Sequence, residues 1–408
     1  MESALYDMLA SVRAAAPGWT LHLIVPDEGA LAARAREIGV GVSVLPFPGS
    51  LARLGDAGAV GAPRAGIDRL RLLAKLASSS ATTARYAWRL RRLLKSLAPD
   101  IVHTHGLKTH VLGAWARPAG AAVVWHVHDY AGRRPVMSRL LRLSARRAAA
   151  AVANSRSVAA DVRAVCGNRL DVRTVYNGVD LGRFAPAGAR ADLDALAGLP
   201  PAEEGTLRVG LVATLARWKG HRTFLEALSL LPAGARVRGY VAGGAVYRTD
   251  GSQHRPEELR EMARALGVEG RVGFTGLVGE AAEAMRALDV VVHCSTEPEP
   301  FGLVIAEAMA CGRAVVASRA GGAAEIFSDG ADALSHAPGD AAALAGRIAQ
   351  LASDPGLRAR LGRAARETAA RRFDRARLAR ELIPLYRELH EDKRSDECGM
   401  MNDEYDVA

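Results

Sequence analysis

The sequence predicts an α/β protein of two doubly wound Rossmann-like domains facing a cleft. Three observations predict it. Short apolar runs rich in Val and Ile alternate with helical patterns from end to end, the mark of parallel β-α-β units. The alternation breaks once, at about 182–206, and then restarts. At 408 residues the chain is long enough for two domains, each with its own apolar core.

The opening "MESALYDMLASVRAAAPGW" reads as a helix. A doubly wound domain normally opens with a strand, usually central in the sheet. The N-terminal domain is therefore expected to lack its first strand and the Gly-rich turn after it, as if the chain began downstream of a true start. The runs "TLHLIV", "VSVLPF", "DIVHTH", "AAVVWHVHD", "AAVANS" and "VRTVYN" read as its strands, with helices such as "ALAARAREI" and "SRSVAADVRAV" between them. "GRFAPAGARADLDALAGLPPAEEGT" is rich in Pro, Gly and Ala and breaks the pattern. Strands resume with "RVGLVATL", "VRGYVAGG", "RVGFTG", "DVVVHCS" and "AVVASRAGG". The expected divisions are 1–185 for the N-terminal domain, 186–206 for a linker and 207–372 for the C-terminal domain. A helix at 373–390 could pack back on the N-terminal domain. The tail 391–408 is acidic and aperiodic and reads as disordered.

Charge is uneven. Residues 1–180 carry 25 Lys and Arg against 12 Asp and Glu, and the remainder 29 against 32, so the excess lies in the first half. It concentrates at 69–95 and 133–147, which suits a phosphate or an anionic membrane surface. The plainer alternative is solvated helix faces in an Arg-rich chain. Neither an aromatic platform nor a base-reading motif accompanies the charge, so nucleic acid is not expected. Four cysteines without paired or metal-like spacing, no run of ~18 apolar residues and no signal peptide at the N-terminus make a cytoplasmic, reduced protein the simplest reading.

The chemistry concentrates in "EPEPFGLVIAEAMACG" (297–312). After the buried strand "DVVVHCS", the Pro- and Gly-rich "TEPEPFG" cannot continue a ladder, and "LVIAEAMAC" is helical with Gly312 as its stop. The helix then starts at Gly302–Val304, where free amides and the dipole suit a phosphate. Glu299 precedes this helix and Glu307 lies little more than a turn inside it, so both can address one ligand. Glu297 is expected on the rim. An acid pair at Asp192 and Asp194, "DLD", is expected at the surface rather than on a metal. Two H-x-H pairs, His103/His105 and His126/His128, end two strands, each pair on one face.

"EPFGLVIAEAMACG" followed by "AVVASRAGGAAEIF" resembles the signature of GT4-type retaining glycosyltransferases (glycosyl transferases group 1), which implies the GT-B fold. "DIVHTHG", "VVWHVHD", "AVANSRSVA", "VRTVYNGVDLGRFAP" and "WKGHRTFLEAL" resemble further family stretches in the same order. The resemblance implies a nucleotide-sugar donor in the C-terminal domain and a glycan, lipid-linked or small-molecule acceptor in the N-terminal one, with no metal and no cofactor. It places Lys219 on the donor diphosphate, helped by Arg217, because Thr214 stands where the family commonly has an arginine. It gives Glu307 the ribose hydroxyls, Glu299 the transferred sugar, and Phe301, Gly302, Leu303 and Val304 the sugar and phosphate. His128 matches the family's active-site histidine. The basic N-terminal half would suit peripheral contact with an anionic membrane on its inner face. Two other classes are weighed against this reading. A metal-dependent hydrolase built on the H-x-H strands leaves Lys219, Glu299 and Glu307 unexplained, and a non-catalytic or truncated GT-B protein draws on the missing strand.

Overall fold

A computed structural model describes residues 2–49, 67–245 and 252–403, with backbone alone over 67–80 and 392–403. The chain forms two compact units, one of residues 1–176 and 376–408, the other of residues 177–375.

In unit 1 the order is α1 (Glu2–Ala15), β1 (His22–Val25), α2 (Ala30–Glu37), β2 (Gly41–Val44), α3 (Ile67–Leu97), β3 (Ile101–His105) and α4 (Leu107–Ala116). There follow β4 (Ala122–Val127), α5 (Pro135–Ser144), β5 (Ala150–Ala153), α6 (Arg156–Cys166) and β6 (Asp171–Thr174). All strand pairs are parallel, and β4 and β5 are buried throughout almost their whole length, which is why both read as unbroken apolar runs. Among the described residues the sheet is in two pieces, β1-β2 and β3-β4-β5-β6, so β1 and β3 are each edge strands. α1 precedes every described strand, and among the described strands β1 pairs with β2 alone.

One core of unit 1 joins Met8, Leu9 and Val12 of α1 to Leu23 and Val25 of β1 and to Val124 and Val152. It also takes in Leu378, Leu382, Leu385 and Tyr386 of the C-terminal helix (Ala376–Asp403), whose Ala379 amide donates to Ser11 Oγ at 3.0 Å. That helix runs on to Asp403, so 391–403 is not the unstructured tail the sequence suggested. Strong helix formers such as Glu391, Lys393, Arg394 and Met400 carry it past the end of its apolar stripe. Residues 404–408 lie outside the described residues.

Unit 2 runs through α7 (Leu193–Ala197), β7 (Leu207–Val212), α8 (His221–Ser229), β8 (Val237–Ala242), α9 (Pro256–Ala265), β9 (Val272–Gly276) and α10 (Ala281–Ala287). It continues with β10 (Val290–His293), α11 (Leu303–Ala310), β11 (Ala314–Ser318), β12 (Leu334–His336), α12 (Ala341–Ser353) and α13 (Pro355–Arg372). Its six strands are parallel in the order β12-β11-β10-β7-β8-β9. The chain thus winds one way from β7 and the other way from β10, which puts a topological switch point at the carboxyl ends of these two neighbours.

The stretch expected as a linker, 186–206, belongs to unit 2, and so do residues 177–185, which were expected in the N-terminal domain. The Val179 amide donates to the Phe373 carbonyl at 2.7 Å, the Arg286 guanidinium donates to the Ala189 carbonyl at 2.6 Å, and Leu193 is fully buried. The acid pair is corrected as well. Asp192 caps α7 by accepting from the Ala195 amide, whereas Asp194 is buried, bonded to Arg208, Arg238, Tyr240 and the Ala202 amide. Its oxygens are committed to the fold.

Candidate active site

The loops that leave β7 and β10 at the switch point carry the polar groups. After His293 the chain passes Cys294 and Ser295 into Thr296–Gly302, where Pro298 and Pro300 supply no amide and end strand pairing. Glu299 is pinned in this loop, since its carbonyl accepts from the Gly322 amide at 2.7 Å. Glu299 is 8% exposed, and both its carboxylate oxygens have partners. Lys219 Nζ donates to Oε1 at 2.5 Å, His293 Nε2 donates to Oε2 at 2.5 Å and Ser295 Oγ donates to Oε2 at 2.8 Å. Burial alone would raise the carboxyl's pKa, but the Lys219 ammonium and His293 outweigh it and hold Glu299 far below the usual carboxylate range. Glu299 is therefore ionised at any ordinary pH.

Lys219 ends a short 3-10 turn, Arg217–Lys219, that follows β7. The turn is clamped onto β10's exit: the Thr296 amide donates to the Trp218 carbonyl at 2.8 Å, and Gly220 lies against the Cys294 carbonyl. A Cβ at Gly220 would sit 1.9 Å from that oxygen, and its φ of +76° is itself a glycine conformation. The Lys219 ammonium also lies 4.2 Å over the Trp218 ring. Arg217 is drawn to α9, donating to Glu258 at 3.2 Å, so in this structure it pairs away from Lys219. Thr214, at the end of β7, has a buried hydroxyl without a partner.

α11 begins at Gly302, in the left-handed region with φ +91°, where a side chain would press on Ile305, Ala323 and Ile326. The first-turn amides of Leu303 and Val304 have no partner within the helix. Glu307 is half-buried one turn on, and Glu297 is exposed. Phe301, expected among the donor-binding residues, is 2% exposed and meets Phe373 edge-on at 5.9 Å. Its ring packs in the core of unit 2.

His293 and Ser295 join this cluster though the sequence reading passed over them, as it did Ser318, whose hydroxyl lies 3.3 Å from His293 Nδ1. The available signal was a histidine ending an otherwise aliphatic strand, six residues before Glu299.

His128 is in unit 1, just past β4. Its Nε2 is 3.0 Å from His105 Nδ1, and its ring stacks on His126 at 4.2 Å. Burial, then the neighbouring His126, pushes its pKa well below the ordinary histidine value, so it is a neutral imidazole.

Comparison with known proteins decides what these parts belong to. The model of the glycosyl transferases group 1 matches residues 200–368, and that of glycosyltransferase family 4 matches residues 10–183. The chain belongs to the GT4-type glycosyltransferases. A D-inositol 3-phosphate glycosyltransferase of Xylanimonas cellulosilytica is 37% identical over 245 residues, which are 58% of this chain and 56% of that one. An alpha-maltose-1-phosphate synthase of Mycobacterium tuberculosis is 29% identical over 387 residues, 86% of this chain and 95% of that one. The chain thus spans little more than half the length of the first relative, and between 44% and 60% of four further curated ones. Among solved structures, Anabaena HepE in complex with UDP superposes with a TM-score of 0.73 at 25% identity, covering 95% of this chain and 96% of that one. The GT-B fold of these glycosyltransferases is the fold of this chain. In unit 2 of this chain, Lys219, Glu299 and His293 lie together at the switch point, just before α11.

Proposed function

We propose that the protein is a metal-independent, retaining glycosyltransferase that binds a nucleoside-diphosphate sugar in unit 2 and moves the sugar to an acceptor hydroxyl. The observation that carries this is the buried Lys219–Glu299–His293 cluster beside the free N-terminus of α11. A lysine at a switch point and a row of helix amides are what a diphosphate needs. HepE has been solved with UDP and with UDP-glucose, which supports a donor of that class.

In this reading Lys219 and the amides of Leu303 and Val304 hold the diphosphate, Glu307 accepts from the ribose hydroxyls, and Glu299 keeps the ammonium in place while meeting hydroxyls of the sugar. The bond from the anomeric carbon to the diphosphate oxygen breaks as the acceptor oxygen bonds to the same face. The acceptor's proton passes to the leaving phosphate oxygen. Lys219 and the α11 amides stabilise the charge that develops there, and in unit 1 neutral His128 hydrogen-bonds the acceptor hydroxyl. Metal independence is supported by the positive charge that Lys219 already supplies, and by Asp194, whose oxygens are committed to arginines.

The acceptor side is read from α5. Val136, Leu140 and Leu143 form an exposed i, i+4, i+7 stripe, with Leu143 72% exposed. Arg133, Arg134, Arg139, Arg142, Arg146 and Arg147 are exposed around it, and residues 133–147 contain no acid. This pattern fits an anionic membrane surface, and with it a lipid-linked or glycolipid acceptor at the cytoplasmic face. No helix among the described residues is long and apolar enough to cross a membrane.

A hydrolysis screen over UDP-, GDP- and ADP-sugars tests the function. Wild type is expected to hydrolyse one donor slowly, and Glu307→Ala to lose roughly ten- to a hundredfold in kcat/KM for it, the loss of about 1.5–3 kcal/mol for a charged hydrogen bond. Equal rates in both proteins would remove Glu307 from the donor site.

A further inference from the structure

Unit 1 holds a histidine cluster that the proposed transfer uses only at its edge. β3 and β4 pair with His105 opposite His126, and the two-residue period puts His103 and His128 on the same face. The rings make a ladder, with centroids 5.0 Å apart for His103–His105 and 4.8 Å for His105–His126. His103 Nε2, His105 Nε2 and both nitrogens of His126 are buried and lack a hydrogen-bond partner, and His126 is 3% exposed. A buried polar atom left without a partner costs about 1–3 kcal/mol, so adjacent orphans of this kind call for an occupant.

The remaining nitrogens are held from outside. His103 Nδ1 bonds the Tyr386 hydroxyl, and His105 Nδ1 lies 3.0 Å from His128 Nε2. With the proton on Nδ1, both rings donate outward and present a bare lone pair on Nε2. That is how histidines bound to a metal are oriented by the groups behind them. One ligand atom from each of His103, His105 and His126 lies within 4.8 Å of the other two.

We propose that His103, His105 and His126 bind a divalent transition-metal ion. Three imidazoles without a carboxylate suit zinc, cobalt, nickel or copper and do not suit magnesium or calcium. Burial holds these rings neutral, as a ligand must be, with His126 pushed down to about 3. An ion about 2.0–2.1 Å from each nitrogen would set them about 3.3 Å apart, so small turns of the rings complete the site. The inference does not rest on the transfer reading, whose diphosphate ligands lie in unit 2.

The chelator-stripped protein is titrated with zinc, and separately with cobalt. One equivalent is expected to bind, cobalt is expected to give visible bands of low-symmetry nitrogen coordination, and His126→Ala is expected to lower zinc affinity at least tenfold. His22→Ala, an exposed histidine on β1, should leave it unchanged. X-ray absorption on zinc-loaded wild type covers the case in which the variant does not fold, with at least three imidazole nitrogens at about 2.0–2.1 Å expected. The proposal is overturned if wild type takes up no stoichiometric ion. It is equally overturned if folded His126→Ala binds as wild type does, or if the metal's shell is mainly oxygen or sulfur.

Discussion

Asp194 accepts from Tyr240 at 2.6 Å, from Arg238 at 2.7 Å and from Arg208 at 2.7 Å while its side chain is 4% exposed. Asp194→Ala leaves two guanidinium groups without their partner, and breaking a buried charge network of this kind costs about 3–5 kcal/mol. Urea unfolding should show that loss, and a change below about 1 kcal/mol would contradict the role. The sequence hid it because the local string "ADLDALAG" describes a short capped helix, whereas the partners arrive from β7 and β8. The place of Glu299 before α11 was legible because a helix start and two prolines sit in one short segment, whereas Lys219, 80 residues earlier, came only from the resemblance of "WKGHRTFLEAL". His293 was not legible, because a histidine closing an aliphatic strand looks the same whether it meets a carboxylate or only the core.

α8 begins at His221, whose ring is buried against His254 at a centroid distance of 5.8 Å. Burial first, and then His254, pushes its pKa down to about 4. The unfolded chain takes up this proton near the ordinary histidine value of about 6.5. Between those two values the unfolded state holds more protons, so the contribution is complete above about 6.5 and is lost as pH falls toward 4. Full loss amounts to about 3 kcal/mol. Urea unfolding at pH 7 and pH 4.5 should show a smaller drop for His221→Leu than for wild type, and identical drops would refute the assignment. Most elements were legible because each buried parallel strand is an unbroken apolar run between turn residues. β12 was not, since its three residues, Leu334–His336, are too few to show a period. The C-terminal helix outran its pattern because helix propensity continues where the apolar stripe stops.

At the scale of the molecule, the division into two units was legible, but its edges were not. Residues 186–206 look like linker by composition, yet Leu193 and Asp194 tie them into unit 2, as Val179 ties in residues 177–185 that were expected in the N-terminal domain, while the helix from Ala376 returns to unit 1. These ties join residues far apart in sequence, which composition cannot show. The basic, apolar-striped α5 gives a prediction at the same scale: the protein should sediment with anionic vesicles and not with neutral ones, and Leu143→Asp with Leu140→Asp should abolish it. Equal binding to both vesicle types, or to neither, would contradict the membrane reading. The central claim is that unit 2 holds a nucleoside diphosphate through Lys219. Calorimetric titration of UDP, GDP and ADP into wild type and Lys219→Ala tests it most directly. One diphosphate should bind wild type and bind folded Lys219→Ala about ten- to a hundredfold more weakly; undiminished binding by the variant, or no binding of any of the three to wild type, would contradict the account.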